Sequence, residues 1–131
     1  MDVRVATGVI DALVAEAARA SPRECCGLLL GEGGRIDAAL PARNVHPQPS
    51  THFEIDPQAL IDAHRAARSG GAQVIGYFHS HPNGLARPSD TDALCAAGDG
   101  LVWAIVAGGA VTFWHDLPGG FERLSLGQDT R

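Results

Sequence analysis

Residues 76–94 read GYFHSHPNGLARPSDTDAL, and with AQVI before them they pass from strand to loop to helix. Val74, Ile75, Tyr77 and Phe78 are residue types that fit a pleated, half-buried surface. Pro82, Gly84 and Pro88 mark a loop. Ser89 then stands at an N-cap position, with Asp92 three residues on; Ala93, Leu94, Ala96 and Ala97 continue a short helix that Gly98 and Gly100 close. In a strand, residues two apart face the same side, so His79 and His81 present both imidazoles together near its end. Ten residues separate Asp92 from His81, enough for a loop that turns back and starts a helix facing the strand end.

Working outward, residues 7–20 place Val9, Ile10, Leu13, Val14, Ala17 and Ala18 at helical spacing, with Thr7 as the expected N-cap. Ser21-Pro22 ends that helix. CCGLLLGEGGRIDAAL, residues 25–40, has the pattern of a β-hairpin, and NVHPQPS, residues 44–50, that of a loop. THFEID, residues 51–56, is expected to form a short strand. Pro57 starts a second helix with Ala59, Leu60, Ala63 and Ala67 on its apolar face, stopped by Gly70-Gly71. Residues 101–117 form another hairpin across Gly108-Gly109, and GGFERLSL supplies a last strand. The fold class is therefore α/β, a mixed β-sheet with hairpins flanked by helices, in a single domain over residues 1–131.

With 131 residues, 45% hydrophobic and 19% charged, the chain can bury a sizeable core. A net charge of −5 leaves no electrostatic footprint for nucleic acid. The first residues lack a basic start followed by an apolar run, and no apolar run reaches membrane-spanning length, so a cytoplasmic protein with no membrane association is expected. Cys25 and Cys26 are adjacent and Cys95 makes the count odd; all three read as small buried hydrophobes with reduced thiols.

Catalytic zinc sites usually take three protein ligands and leave the fourth position to water. His79 and His81 supply two, and Asp92 is the expected third. Activated water still needs a base that takes its proton and passes it to a leaving amine. Glu24, directly before the strand CCGLLLG, is the expected carboxylate, although spacing alone does not exclude Glu32 or Glu54. Ser89 is placed to donate a hydrogen bond to the oxyanion.

His79-Ser80-His81-Pro82, then six residues, Ser89, two residues and Asp92, with Glu24 upstream in PRECCGLLLG, resemble the JAMM (MPN+) metalloprotease family. Asn44, FEIDP at residues 53–57, the following helix and VIGYFHSHP come in the family's usual order, so the resemblance covers most of the chain. It implies the MPN (cytidine-deaminase-like) fold. It also implies zinc held by His79, His81 and Asp92, Glu24 as general base and acid, and Ser89 stabilising the tetrahedral intermediate. The implied reaction is hydrolysis of isopeptide or peptide bonds, typically after the Gly-Gly tail of ubiquitin or ubiquitin-like proteins. Only a short helix lies between Asp92 and the Leu101 strand, so the chain-selecting segments of eukaryotic members are missing. The chain is similar to compact bacterial stand-alone members, which implies a sulfur-carrier or ubiquitin-like partner. Its Gly-Gly tail would bind extended along a strand edge, with residues 43–51 as one wall.

Two further readings share these residues: a non-catalytic MPN-type scaffold that binds a partner, and a zinc sensor or store without turnover. S-x-x-D is also an ordinary capping pattern. H-x-H recurs in amidohydrolase barrels, which need larger scaffolds and further histidines. Zinc base deaminases want H-x-E and P-C-x-x-C, and neither is present. His46, His52, His64 and His115 are expected to be surface or structural residues, and Trp103, Phe113 and Trp114 to pack the sheet.

Overall fold

The unbroken apolar run after Glu24 becomes β2 (Cys26–Glu32), a central strand buried along most of its length. In the computed structural model, which describes residues 1–128, β2 pairs antiparallel with β3 (Arg35–Ala42) on one side and β4 (Gln73–Ser80) on the other. The β2–β3 hairpin turns at Gly33 and Gly34, whose φ values of 58° and 79° lie where a Cβ would be strained. β4 runs parallel to β5 (Val102–Ala107), which leads antiparallel into β6 (Ala110–Leu117) and then β7 (Gly120–Leu126). Gly76 makes the β4–β5 pairing possible: a Cβ there would lie 1.9 Å from the Val102 carbonyl oxygen.

The sheet closes on itself. β1 (Asp2–Val5) runs parallel to both β3 and β7, giving a barrel of order β1-β3-β2-β4-β5-β6-β7. Val3, Leu29, Ile36, Phe78, Val106 and Phe113 form the core, with Val9 and Leu13 of α1 (Val9–Ala20) packed among them. α2 (Pro57–Arg68) lies against β4, and α3 (Asp90–Cys95) follows the histidine-bearing strand. Among the described residues no helix is long and apolar enough to cross a membrane.

The mixed sheet, both hairpins, α2 and the last strand match expectation. Four details differ. The α1 N-cap is Gly8, at φ 88° and without a side-chain hydrogen bond, rather than Thr7. THFEID forms no strand: Ile55 makes an isolated bridge to Asn44, flanked by backbone bonds of Glu54 and Asp56 to Val45 and Arg43, and the Asn44 side chain takes up the His52 carbonyl and the Glu54 N–H. α3 stops at Cys95, since the buried Asp116 carboxylate accepts the Ala97 and Gly98 N–H groups at 3.2 and 3.1 Å and draws the chain out of the helix. Cys25 and Cys26 are buried and free as expected, whereas Cys95 is exposed.

Candidate active site

The β2–β4 register builds the site. Cys26 lies opposite His79, and the pairing continues past the strand ends: the Ser80 N–H donates to the Cys25 carbonyl at 3.1 Å. One step further along that register, Glu24 comes opposite His81. Being central in the sheet, between β2 and β5, His79 is fully buried. His81 sits just beyond β4, its N–H donating to the Val106 carbonyl at 2.9 Å. The following turn presents the Leu85 carbonyl to His81 Nδ1 at 2.7 Å, and Thr112 Oγ1 of β6 tethers the loop by donating to the Ala86 carbonyl at 2.9 Å.

Ser89 and Asp92 form a reciprocal capping box. Ser89 Oγ accepts the Asp92 N–H at 3.0 Å, and Asp92 Oδ2 accepts the Ser89 N–H at 2.9 Å. The cap holds the Asp92 carboxylate against both imidazoles. His79 Nε2 lies 3.1 Å from Asp92 Oδ1, His81 Nε2 lies 3.0 Å from Asp92 Oδ2, and the two Nε2 atoms are 3.0 Å apart. Among the described residues, these three are the one cluster of His, Cys, Asp or Glu side chains with donor atoms gathered within 4.8 Å.

The donor set suits a small divalent cation. Ligand atoms about 2.0 Å from a tetrahedral zinc lie about 3.3 Å from each other, close to the spacing here. His81 Nδ1 faces a carbonyl and donates to it, so only the charged imidazolium also donates from Nε2 to Asp92 Oδ2; a neutral His81 meets that oxygen lone pair to lone pair. One added proton relieves one such contact, whereas a cation relieves all of them at once. Burial would raise the Asp92 carboxyl, but hydrogen bonds from His79 and His81 and the charge of His79 hold it well below the usual carboxylate range. Burial pushes His79 below its ordinary value. Burial also acts against charging His81, yet hydrogen bonds to Asp92 and the Leu85 carbonyl, with the charges of Asp92 and Glu24, carry it above.

Glu24 is clamped through its backbone. Its N–H donates to the Pro49 carbonyl at 2.7 Å, its carbonyl accepts from Asn44 Nδ2 at 3.1 Å, and the next N–H, of Cys25, donates to Ser80 Oγ at 2.8 Å. Glu24 is 6% exposed. Burial pushes its carboxyl up to about 7, with the Asp92 charge acting in the same direction and His81 opposing. Glu32 lies at the far end of β2 and Glu54 is exposed on the 43–56 loop, whereas Glu24 is buried.

All five expected site residues therefore gather at one end of β4: His79, His81 and Asp92 in contact, Glu24 electrostatically coupled to His81 and Asp92, and Ser89 at the rim. Ser89 Oγ is occupied as an acceptor, which leaves its hydroxyl hydrogen available. Three supports went unassigned. Ser80 accepts the N–H of Cys25, the residue after Glu24; it alternates with the histidines, and a polar residue on the inner face of a strand needs a partner there. Phe53 stacks on the His79 ring at 4.3 Å and 17°, and Trp103 meets that ring edge-on at 5.6 Å, so Trp103 walls the site as well as packing the sheet. Asn44 pins residues 44–54, donating to the His52 carbonyl at 2.9 Å and accepting the His46 and Glu54 N–H groups at 3.1 and 3.0 Å. His46 and His52 stack on each other in this loop, His64 is exposed on α2, and His115 Nε2 donates to the Gly100 carbonyl at 2.9 Å.

Barrel and site together define a class: small α/β proteins that gather a histidine-histidine-aspartate donor set where a central strand ends, beside a buried carboxyl. The family model for prokaryotic homologs of the JAB domain matches residues 6–116, and the chain belongs to that family. It is 34% identical over 108 residues to a desampylase of Haloferax volcanii, which covers 80% of this chain and 78% of the relative. Over 88 residues it is 36% identical to a probable TtuB-protein conjugate cleaving protease of Thermus thermophilus, covering 67% and 59%. A tail tip assembly protein K of Escherichia phage N15 is 36% identical over 98 residues, 75% of this chain and 38% of that much longer protein. A JAB1/MPN domain protein of Archaeoglobus fulgidus, 21% identical, superposes with TM-score 0.66 over 95% of each chain and shares the fold. The matched names include a protease, which supports a hydrolase.

Proposed function

We propose that the protein is a zinc-dependent peptidase or isopeptidase that hydrolyses the bond after the C-terminal Gly-Gly of a ubiquitin-like or sulfur-carrier protein. One observation carries this reading: two imidazole nitrogens and a carboxylate meet within 3.1 Å of one another beside a buried carboxyl lifted to about 7. Zinc held by His79, His81 and Asp92 would supply Lewis acidity, making water a better nucleophile and polarising the substrate carbonyl. Glu24 in its ionised form takes one proton from the attacking water as the water oxygen bonds to the carbonyl carbon. It returns that proton to the leaving nitrogen as the C–N bond breaks, and the new carboxyl group ionises. A carboxyl poised near neutral pH suits both duties.

Ser89 donates its free hydroxyl hydrogen to the oxygen that gains charge when the carbonyl carbon becomes tetrahedral. Phe53 and Trp103 hold the His79 ring and keep bulk water from that side. Glycines suit a substrate tail that must approach such walls closely. The Thermus relative is named for cleaving protein conjugates, which supports a carrier protein as partner. Action in the cytoplasm belongs to the same proposal and fits three free thiols. A non-catalytic scaffold is the second reading, favoured by the phage assembly relative; the complete donor set and the raised Glu24 speak against it.

The test is mass spectrometry of Gly-Gly-tailed carriers from the same genome, extended or conjugated at the tail, after incubation with the zinc-loaded protein. Trimming to the diglycine end is expected. Carriers left intact by a zinc-loaded, folded protein would retire the enzyme reading in favour of the scaffold.

A further inference from the structure

The two histidines of the donor set are held differently. His79 is fixed inside the sheet, with Phe53 and Trp103 against its ring. His81 lies beyond the strand. Its backbone N–H donates to the Val106 carbonyl, and outside the donor set the Leu85 carbonyl, 2.7 Å from Nδ1, is the one polar group bonded to its ring among the described residues. The aim of that imidazole therefore depends on residues 82–88. The Gly84 N–H donates to the His81 carbonyl at 3.0 Å and the Leu85 N–H to Asn83 Oδ1 at 3.0 Å, bonds that shape the turn but attach it to no other element. Among the described residues a single hydrogen bond ties residues 82–88 to a strand, from Thr112 Oγ1 to the Ala86 carbonyl at 2.9 Å.

The sheet register places Thr112 for this. It lies opposite Ile105, which lies opposite His79, so Thr112 stands in the histidine's row two strands away and on the same face. Trp114, two residues on, shares that face, and its Nε1–H donates to Thr112 Oγ1 at 2.9 Å. An indole N–H can only donate, so the Thr112 oxygen is the acceptor and its own hydrogen is left for the Ala86 carbonyl. The relay thus runs with one polarity, each bond strengthening the next, and it ends one residue from the carbonyl that His81 faces. Thr112 is buried, so bulk water does not compete for these bonds. We propose that Thr112 and Trp114 are positioning residues for the metal centre: through Ala86 they fix the Leu85 carbonyl, and through it the His81 ring, in the orientation a bound cation needs. This inference rests on the metal-dependent reading above and extends it to a strand that contributes no ligand.

The experiment uses the full chain as wild type, T112V, T112S, W114F and the T112V/W114F double variant. Zinc affinity is measured by competition with a chelator of known affinity, and kcat and KM on a Gly-Gly-tailed carrier extended at its tail. T112V keeps the branched shape without the hydroxyl and should weaken zinc binding by about tenfold or more, with kcat lowered and KM little changed. T112S keeps the hydroxyl and should restore both. W114F keeps an aromatic ring without the N–H and should lose about threefold in zinc affinity; in the T112V background it should add nothing, since groups acting in series fail together. The His81 Nδ1–H of the zinc-loaded wild type should give a slowly exchanging proton resonance that exchanges fast in T112V. Equal losses in T112S and T112V, a lowered melting temperature with unchanged zinc affinity, or additive losses in the double variant would overturn the relay. Should T112V fail to fold, wild-type zinc affinity in W114F or a loss in T112S overturns it instead. A wild-type chain that binds no zinc would fell the metal-dependent reading itself, and the relay's role with it.

Discussion

At the scale of single residues, Glu24 and Ser80 make the sharpest tests. The Glu24 carboxyl holds its proton to about pH 7 in the folded protein against an ordinary 4.5, so the unfolded chain ionises first. Ionising Glu24 in the fold therefore costs stability increasingly as pH rises through that window. Gln keeps the shape of the neutral acid at every pH. Metal-free E24Q should gain nothing below pH 4.5 and up to about 3 kcal/mol above pH 7, read from denaturant midpoints; the same gain at both ends would mean that packing, not ionisation, sets the difference. In the zinc-loaded protein E24Q should bind metal in full yet lose turnover by about 100-fold or more. Retained hydrolysis would move the base elsewhere. Ser80→Ala leaves the buried Cys25 N–H without its 2.8 Å partner. It should cost about 1–3 kcal/mol and lower kcat more than it changes KM, because Glu24 loses its footing while the substrate-facing surface stays as it was.

At the scale of elements, two short pieces carry the geometry. α3 has only six residues and depends on its cap. Ser89→Ala should destabilise by about 1 kcal/mol and slow turnover. Ser89→Asp, which caps equally well but offers no hydroxyl hydrogen, should recover the stability without the rate. Thermal melts paired with initial rates separate the two roles, and a fully active S89D would deny Ser89 any part beyond the cap. β4 meets β5 at Gly76, where an added Cβ would press into the Val102 carbonyl oxygen. Gly76→Ala should cost about 3 kcal/mol, and lowered zinc affinity should accompany it, since the same pairing seats His79. A variant of wild-type stability would mean the strands separate there without penalty.

For the molecule as a whole, metal and fold should be coupled, because the donor set joins the end of β4 to the start of α3 across a ten-residue gap. Zinc at 100 times its dissociation constant should raise stability by about 2.7 kcal/mol, and chelation should reverse it. Asp92→Ala should abolish the zinc-dependent rise in melting temperature, and a rise that persists would place the ion elsewhere. Much of this was legible in the chain. Hairpins announced themselves through paired apolar runs around Gly33-Gly34 and Gly108-Gly109, α2 through Pro57 and its apolar spacing, and the donor set through the H-x-H alternation followed by S-x-x-D. Each of these is a local pattern, set by strand and helix periods and by turn chemistry over a few residues. The rest depends on partners far apart in sequence. β1 is only four residues long and is a strand because β3 and β7 flank it; residues 51–56 bond to the 43–45 backbone and the Asn44 side chain instead of joining the sheet. Ser80 reaches across 55 residues to Cys25, and Phe53 covers a histidine on another element. The sequence alone determined which groups could meet a metal, since their identities and local spacing are written in it. Only the tertiary structure decided that Glu24 is buried enough to keep its proton near neutral pH, because desolvation depends on what the folded chain brings close.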